Sequence, residues 1–358
     1  MDLTLYFTRG VSLRTWEQAG MLTREVALYR RLAEKGAGVR LVTYGGRGEA
    51  ARVPGIEVLC NRWGLPGRLY EAFLPKLHGK ALRGTSVVKS NQVAGADLAL
   101  AAARRHGKPF VARCGYLPSE FARHADGDVA GAEALERRVF AGADRVVVTT
   151  GTMRDVVTGR YGLDTDKVLV VPNYVDTKAF SPRGGGDGRR ICFIGRLVEQ
   201  KNLFALLEAL RGLEAELVVV GDGHLRASLE AEAERLGLAV DFRGNLPHER
   251  LPDVLADCGL FVLPSHYEGH PKVLLESMAC GLPVLGAENA GIREVIRHRD
   301  NGLLCQPTAE GLHAALSELL EDSALRGTLG SEARRFVVET CSLDRVADME
   351  YELLMELA

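Results

Sequence analysis

The sequence predicts an α/β protein of two domains, each built on a parallel sheet. Three observations carry that expectation. Short apolar runs end in polar or glycine-containing loops and give way to amphipathic stretches, which is the rhythm of βαβ units. The rhythm pauses at Gly184-Gly185-Gly186-Asp187-Gly188, a flexible linker by composition, and then restarts. At 358 residues the chain is too long for one ordinary core and suits two. The expected domains are residues 1–180 and 181–341, followed by a terminal helix at about 342–358.

In the first domain, residues 3–7 read as a strand that feeds a polar loop at 8–12. One long amphipathic helix is expected from about Trp16 to Lys35, stopped by Gly36 and Gly38, with a second strand at 39–44. Residues 62–83 carry Arg62, Arg68, Lys76, Lys80 and Arg83 against a single Glu71, with Trp63, Leu65, Leu69, Tyr70, Phe73, Leu74 and Leu77 interleaved. Such a stretch can lie on an anionic membrane surface, or can be a short helix packed on the sheet with a solvated basic face. Pro66 and Pro75 keep any helix there short. Strands follow at 86–90 and 109–113, separated by an alanine-rich helix at 96–106, and then at 145–150 and 168–171. Ligands of open α/β sheets bind outside the carboxyl ends of the strands. Asn91, Gln92, Arg113 and Tyr116 stand at such ends and are candidates for the ligand site. Cys114 has no identifiable general base beside it, so it is not read as a nucleophile.

The second domain opens with a strand at 191–194. Gly195 and Arg196 then lead through Lys201 into a helix from about Leu203. A strand at 216–220 ends in Gly221-Asp222-Gly223, and further strands are expected at 240–246, 260–263, 283–286 and 302–305. The chemistry concentrates after the fourth of these, in residues 264–283. There a carboxylate, Glu268, precedes the turn Gly269-His270-Pro271, and a second carboxylate, Glu276, lies inside the helix that follows. Free amides at a helix start donate to phosphate, and carboxylates accept from hydroxyls. The block therefore suits a ligand that is both phosphorylated and rich in hydroxyls, such as a nucleotide-sugar. Arg196 and Lys201 sit five residues apart after a strand and a glycine, where two cations can hold a diphosphate and stabilise the charge that grows on it as a sugar leaves.

Glu268 to Glu276 resembles the E-x7-E motif of retaining glycosyltransferases of family 4. The flanks agree: Pro264-Ser265 before it, and Leu275-Glu276-Ser277-Met278-Ala279-Cys280-Gly281-Leu282-Pro283 after it. Arg196 and Lys201 match the family's G-R-x4-K pattern, and Val171-Pro172-Asn173-Tyr174-Val175-Asp176 resembles its V-P-N-G-V-D segment, with Tyr174 in place of glycine. The resemblance implies the GT-B fold: two facing Rossmann-like domains, with a C-terminal helix crossing back to the first. It implies acceptor binding by the first domain and donor binding by the second.

Several residue roles follow from the resemblance. Arg196 and Lys201 would bind the donor diphosphate, Glu276 the ribose, and Glu268 would lie close to the transferred sugar. Gly269, His270, Lys272 and Val273 would meet sugar hydroxyls and phosphate through their amides. Asn245 and Leu246 would read the nucleobase with their main chain. Gly195 and Gly221 belong to tight loops beside the diphosphate. Gly10 stands in the first loop, where the family has a Gly-Gly pair near the donor phosphates, and Cys114 stands where many relatives have a histidine.

The implied reaction is retaining transfer from a nucleotide-sugar, UDP- or GDP-linked, to a glycan or lipid-linked acceptor, as in bacterial polysaccharide and glycolipid synthesis. The leaving phosphate would take the acceptor's proton, and the domains would close around the donor.

Composition bounds the alternatives. Hydrophobic content of 46% and charged content of 26% are those of a globular protein, and no apolar run approaches the ~18 residues of a membrane span. No signal peptide is read, and seven irregularly spaced cysteines point to reduced thiols in the cytoplasm, with attachment to the inner face of the membrane as an option. The net charge of −2 hides an asymmetry: residues 1–180 hold 27 Lys and Arg against 18 Asp and Glu, and residues 181–358 hold 18 against 29. A basic half suits an anionic acceptor, though surface charge also drifts between domains without function. No nucleic-acid partner is indicated. His266 and His270 lack a third ligand at a metal-binding spacing, so no metal or cofactor is expected. A 2-epimerase or hydrolase of the same architecture would need an acid/base carboxylate pair in the first domain, and none is evident. A dehydrogenase would need a third glycine after Gly221-Asp222-Gly223. A binding subunit without activity would not need Arg196, Lys201 and Glu276 together.

Overall fold

A computed structural model describes residues 1–124, 127–184 and 186–358. Gly185, in the expected linker, lies outside the described residues. The chain forms two compact units, one of Met1–Pro172 with Val346–Ala358 and one of Asn173–Arg345.

The first unit holds seven strands: β1 (Asp2–Tyr6), β2 (Gly38–Val42), β3 (Glu57–Leu59), β4 (Val87–Ser90), β5 (Phe110–Cys114), β6 (Arg145–Val148) and β7 (Val168–Val170). They pair in the order β3-β2-β1-β4-β5-β6-β7, and every pairing is parallel. The second unit holds β8 (Asp187–Ile194), β9 (Glu216–Val220), β10 (Val240–Gly244), β11 (Cys258–Leu263), β12 (Val284–Ala287) and β13 (Leu303–Cys305). These order as β10-β9-β8-β11-β12-β13, again all parallel. A parallel sheet is covered on both faces, so its central strands are apolar throughout rather than alternating. β11 shows this: Leu260, Phe261, Val262 and Leu263 are all fully buried.

Four features differ from the sequence-based expectation. The helix expected from Trp16 to Lys35 is two, Leu13–Gln18 and Leu22–Glu34, because the chain turns at Gly20 with a φ of 67°. β3 was not anticipated, since a three-residue edge strand has too few residues to show a pattern. Asp187 and Gly188, expected in the linker, begin β8, with Asp187 opposite Cys258 in the register with β11. The unit boundary falls after Pro172 rather than after 180. Residues 173–180 are drawn into the second unit by Phe180, which is buried in its core, and by Arg334, which donates to Thr177 O at 3.0 Å and Phe180 O at 2.7 Å.

The last helix, Leu343–Leu357, leaves the second unit at Arg345. Its remainder belongs to the first unit, where Glu350 meets Lys89 of β4 in a fully buried ion pair. The basic segment contains two short helices, Gly67–Phe73 and Gly79–Arg83, with Pro66 capping the first.

Candidate active site

In the second unit the chain order reverses at β8, which lies between β9 and β11. Such a switch point, at the carboxyl ends of the strands, is where open α/β sheets hold ligands. The loops after β8 and β11 carry the two halves of the expected donor site. After β8 the chain passes Gly195 and Arg196 into a 3-10 turn, Glu199–Lys201, and reverses at Asn202 with a φ of 55° before the helix Leu203–Ala209.

Three hydrogen bonds fasten this loop to the one after β11: His266 N to Gln200 O at 2.9 Å, Gln200 Nε2 to Tyr267 O at 2.8 Å, and Asn202 Nδ2 to Pro264 O at 3.2 Å. The result is an ion pair between Lys201 Nζ and Glu268, whose side chains are only 11% and 10% exposed. Arg196 is exposed and makes no ion pair among the described residues. The loop after β9 packs on the same place. Gly221 has a φ of 129°, and a Cβ there would lie 1.9 Å from Gly195 O, so only glycine allows the two loops to touch.

Residues 264–271 end at Pro271, which caps the helix Lys272–Ala279 without a side-chain hydrogen bond. The first-turn amides of that helix, Val273 among them, have no intrahelical acceptor and supply donors to an anion. Glu276 lies one turn further in, 1% exposed, and its Oε1 is 2.8 Å from His248 Nε2. With the carboxylate ionised, that bond requires the proton on Nε2. His248 is itself held against Phe180, ring to ring at 5.0 Å, and stands just beyond Asn245 and Leu246, which lead out of β10. Asn245 is exposed and Leu246 half-buried on the core.

His270 is buried. Its Nδ1 accepts from Asn173 N at 3.2 Å, and its carbonyl accepts from Asn173 Nδ2 at 2.7 Å. The Lys272 ammonium lies 5.9 Å over the Tyr174 ring, so the residue that departs from the glycine of the V-P-N-G-V-D pattern is in contact with the helix start. His266, by contrast, is exposed. Among the described residues no three His, Cys, Asp or Glu side chains gather as a metal site.

The first-unit candidates also gather at a switch point, here β1 between β2 and β4. Gly10 is exposed in the loop after β1 with a φ of 75°, and a Cβ there would meet nothing within 4 Å. Asn91 N donates to Tyr6 O at 2.8 Å, and its side chain reaches Thr8 Oγ1 at 3.3 Å. Gln92 Oε1 accepts from Gly115 N at 2.9 Å. Arg113 Nη1 reaches Asn91 O at 3.5 Å, and the Tyr116 ring packs edge-on against Phe121 at 4.9 Å. Cys114 is fully buried, and its thiol donates to Tyr116 O at 3.1 Å. Burial pushes its pKa well up, with Glu136 adding to the effect, so the thiolate a nucleophile needs is suppressed.

Three contributors escaped the sequence reading. Asn173 lay in the noticed V-P-N segment but gave no sign that it pairs with His270. His248 follows a proline loop with no periodicity to mark it. Arg9, beside Gly10, bonds both Glu71 at 2.6 Å and Asp97 at 2.9 Å.

Comparison with known proteins shows the family and the fold. A family model described as Glycosyltransferase Family 4 matches residues 20–179, and one described as Glycosyl transferases group 1 matches residues 176–336. The chain is 30% identical over 358 aligned positions to a D-inositol 3-phosphate glycosyltransferase of Acidothermus cellulolyticus, covering 87% of this chain and 80% of that one. It is 27% identical to a glycosyltransferase of Methanocaldococcus jannaschii, covering 69% and 68%. Among solved structures, sucrose-phosphate synthase from Thermosynechococcus elongatus aligns over 100% of this chain and 99% of its own, with a TM-score of 0.84 at 20% identity. HepE of Anabaena, in complex with UDP and glucose, aligns over 99% and 100%, with a TM-score of 0.78 at 20% identity. These likenesses show the fold, two Rossmann-like units of the GT-B type.

Proposed function

The chain belongs to the glycosyltransferases of family 4, and from that premise we propose that it moves a sugar from a nucleoside diphosphate sugar to an acceptor hydroxyl with retention of configuration. The observation that carries the reading is the Lys201–Glu268 pair at the switch point of the second sheet, with an uncapped helix start beside it. Arg196, Lys201 and the amides of Lys272 and Val273 take the donor diphosphate. Glu276 takes the ribose hydroxyls, the main chain at Asn245 and Leu246 reads the base, and Gly195 and Gly221 let the loops close on the phosphates.

Lys201 and Glu268 neutralise one another without donor. An incoming diphosphate competes for Lys201 and leaves the Glu268 carboxylate to accept from a hydroxyl of the sugar. Gly269 and His270, the latter fixed by Asn173, shape the same wall. As the glycosidic bond breaks, charge grows on the diphosphate and is met by cations and dipoles already in place. The leaving phosphate oxygen takes the acceptor's proton, so neither a strong base, a covalent intermediate nor a metal is assigned a role. Gly10, Asn91, Gln92, Arg113 and Tyr116 of the first unit take the acceptor or sugar side. The acceptor is a glycan or a lipid-linked glycan.

Thermal stabilisation against UDP, GDP, ADP, dTDP and their sugars tests this. One base is expected to stabilise, by about 2.7 kcal/mol at a hundredfold excess over Kd, and the shift is expected to vanish in Lys201→Ala. No shift with any nucleotide would overturn the reading. His248 is expected to act through Glu276 as a positioning residue. His248→Ala should raise the donor KM about tenfold, the loss of one charge-assisted hydrogen bond, and leave kcat unchanged. His248→Gln, which keeps a donor, should recover part of it. A matching fall in kcat would mean that His248 acts on the chemical step instead.

A further inference from the structure

Residues 62–83 present a surface that nothing in the donor reading uses. Among the described residues six large hydrophobic side chains are exposed, and three of them fall here: Trp63 at 42%, Leu69 at 49% and Phe73 at 47%. Leu69 and Phe73 are four residues apart on the helix Gly67–Phe73, so they share its outer face. Arg68, Lys76, Lys80 and Arg83 of the same segment are also exposed, and the exposed Arg62 guanidinium lies 4.8 Å over the Trp63 ring.

The inner side of the segment is fixed to the unit. Tyr70 is buried and donates to Thr43 O at 3.1 Å, Leu74 and Leu82 are buried, and Glu71 bonds Arg9. The single carboxylate of the segment is half-buried and paired with Arg9, and the exposed charges of the segment are all positive. Exposed apolar side chains in a segment whose exposed charges are all cationic, with an aromatic ring among them, match the acyl boundary and the phosphates of a lipid leaflet.

We propose that residues 62–83 form a docking surface for an anionic lipid bilayer, with Trp63, Leu69 and Phe73 entering the headgroup region and the segment's exposed Arg and Lys side chains meeting phosphates. No described helix is long and apolar enough to cross a membrane, so the attachment is peripheral. The segment also tells the acceptor's source. Through Glu71 it holds Arg9, next to Gly10, so docking brings the acceptor-side loop of this unit to the leaflet where a lipid-linked glycan resides. The inference deepens the reading of a lipid-linked acceptor and rests on that reading for its purpose, whereas the surface stands without it.

Flotation with vesicles of phosphatidylcholine, alone or mixed with phosphatidylglycerol, tests the proposal, with tryptophan fluorescence as the second readout. Trp63 is the reporter, since Trp16 is 5% exposed and packed on Phe7. The protein is expected to float with the anionic vesicles alone, with a blue-shifted emission absent from Trp63→Phe. Leu69→Gln/Phe73→Gln and Arg68→Glu/Lys76→Glu should each weaken binding more than about tenfold. Retained stabilisation by nucleotide shows that these variants are folded. Failure to float, or equal flotation of both double variants, would overturn the proposal. So would a concentration-dependent dimer that the apolar variant abolishes while vesicles bind nothing, which would assign the surface to a second copy. If vesicles bind as expected and no nucleotide stabilises the protein, the donor reading falls and the docking surface stands.

Discussion

Lys201→Ala and Arg196→Ala are both expected to lower kcat by about 10²–10³-fold, but only the first is expected to cost stability. The difference follows from their surroundings. Arg196 is exposed and makes no ion pair among the described residues, so truncating it removes nothing from the donor-free protein. Lys201 is 9% exposed and answers the charge of Glu268. Removing it strands a carboxylate in a poorly solvated loop, which costs up to about 3–5 kcal/mol where the pair is fully buried. Lys201→Met/Glu268→Gln separates the two effects: it leaves no unpaired charge, so the melting temperature should return while transfer stays lost. Product formation and melting curves on the four proteins decide the matter. Near-normal transfer in both single variants would sink the diphosphate assignment. Equal destabilisation by both would show that Arg196 has a structural partner and is not held in reserve for a phosphate.

The strands and loops of this site were legible because they rest on local rules. A buried parallel strand is apolar along its whole length, and the loops at its carboxyl end are where open α/β sheets hold ligands. β11 and the twenty residues after it could therefore be read directly, and so could Gly195 to Lys201. What stayed hidden depends on which loops the topology brings together. Lys201 and Glu268 are 67 residues apart, Asn173 and His270 are 97 apart, and His248 and Glu276 are 28 apart. No periodicity links the members of such a pair. The same limit explains the boundary after Pro172. Composition marks the glycine-rich stretch at 184–188 as flexible, but the partners that pull residues 173–180 into the second unit, Arg334 and His270, come from far along the chain. The split at Gly20 was missed for a different reason: the apolar period runs through it unbroken, and the turn is a property of one residue's backbone.

The pair that joins β4 to the last helix carries the other large expected effect. Lys89 and Glu350 are each 1% exposed, Lys89 Nζ lies 2.5 Å from both carboxylate oxygens, and 261 residues separate them. Burial lowers the Lys89 pKa, with the Arg113 charge adding to the effect and Glu350 opposing it, so Glu350 is what favours the charged ammonium in this core. Lys89→Met should therefore cost about 3–5 kcal/mol, a fall of about 10 °C in the melting of the first unit, by leaving Glu350 buried without its counter-charge. Lys89→Met/Glu350→Leu should recover most of the loss, since an apolar pair of similar volume carries no desolvation cost. The functional consequence follows from position. Lys89 directly precedes Ser90, Asn91 and Gln92, so loosening the helix frees the end of β4 that carries the proposed acceptor-side residues, and transfer in Lys89→Met should fall with temperature before the second unit melts. A double variant as unstable as Lys89→Met would mean that the helix is held by something other than the charge pair. An unchanged single variant would mean that water reaches Glu350.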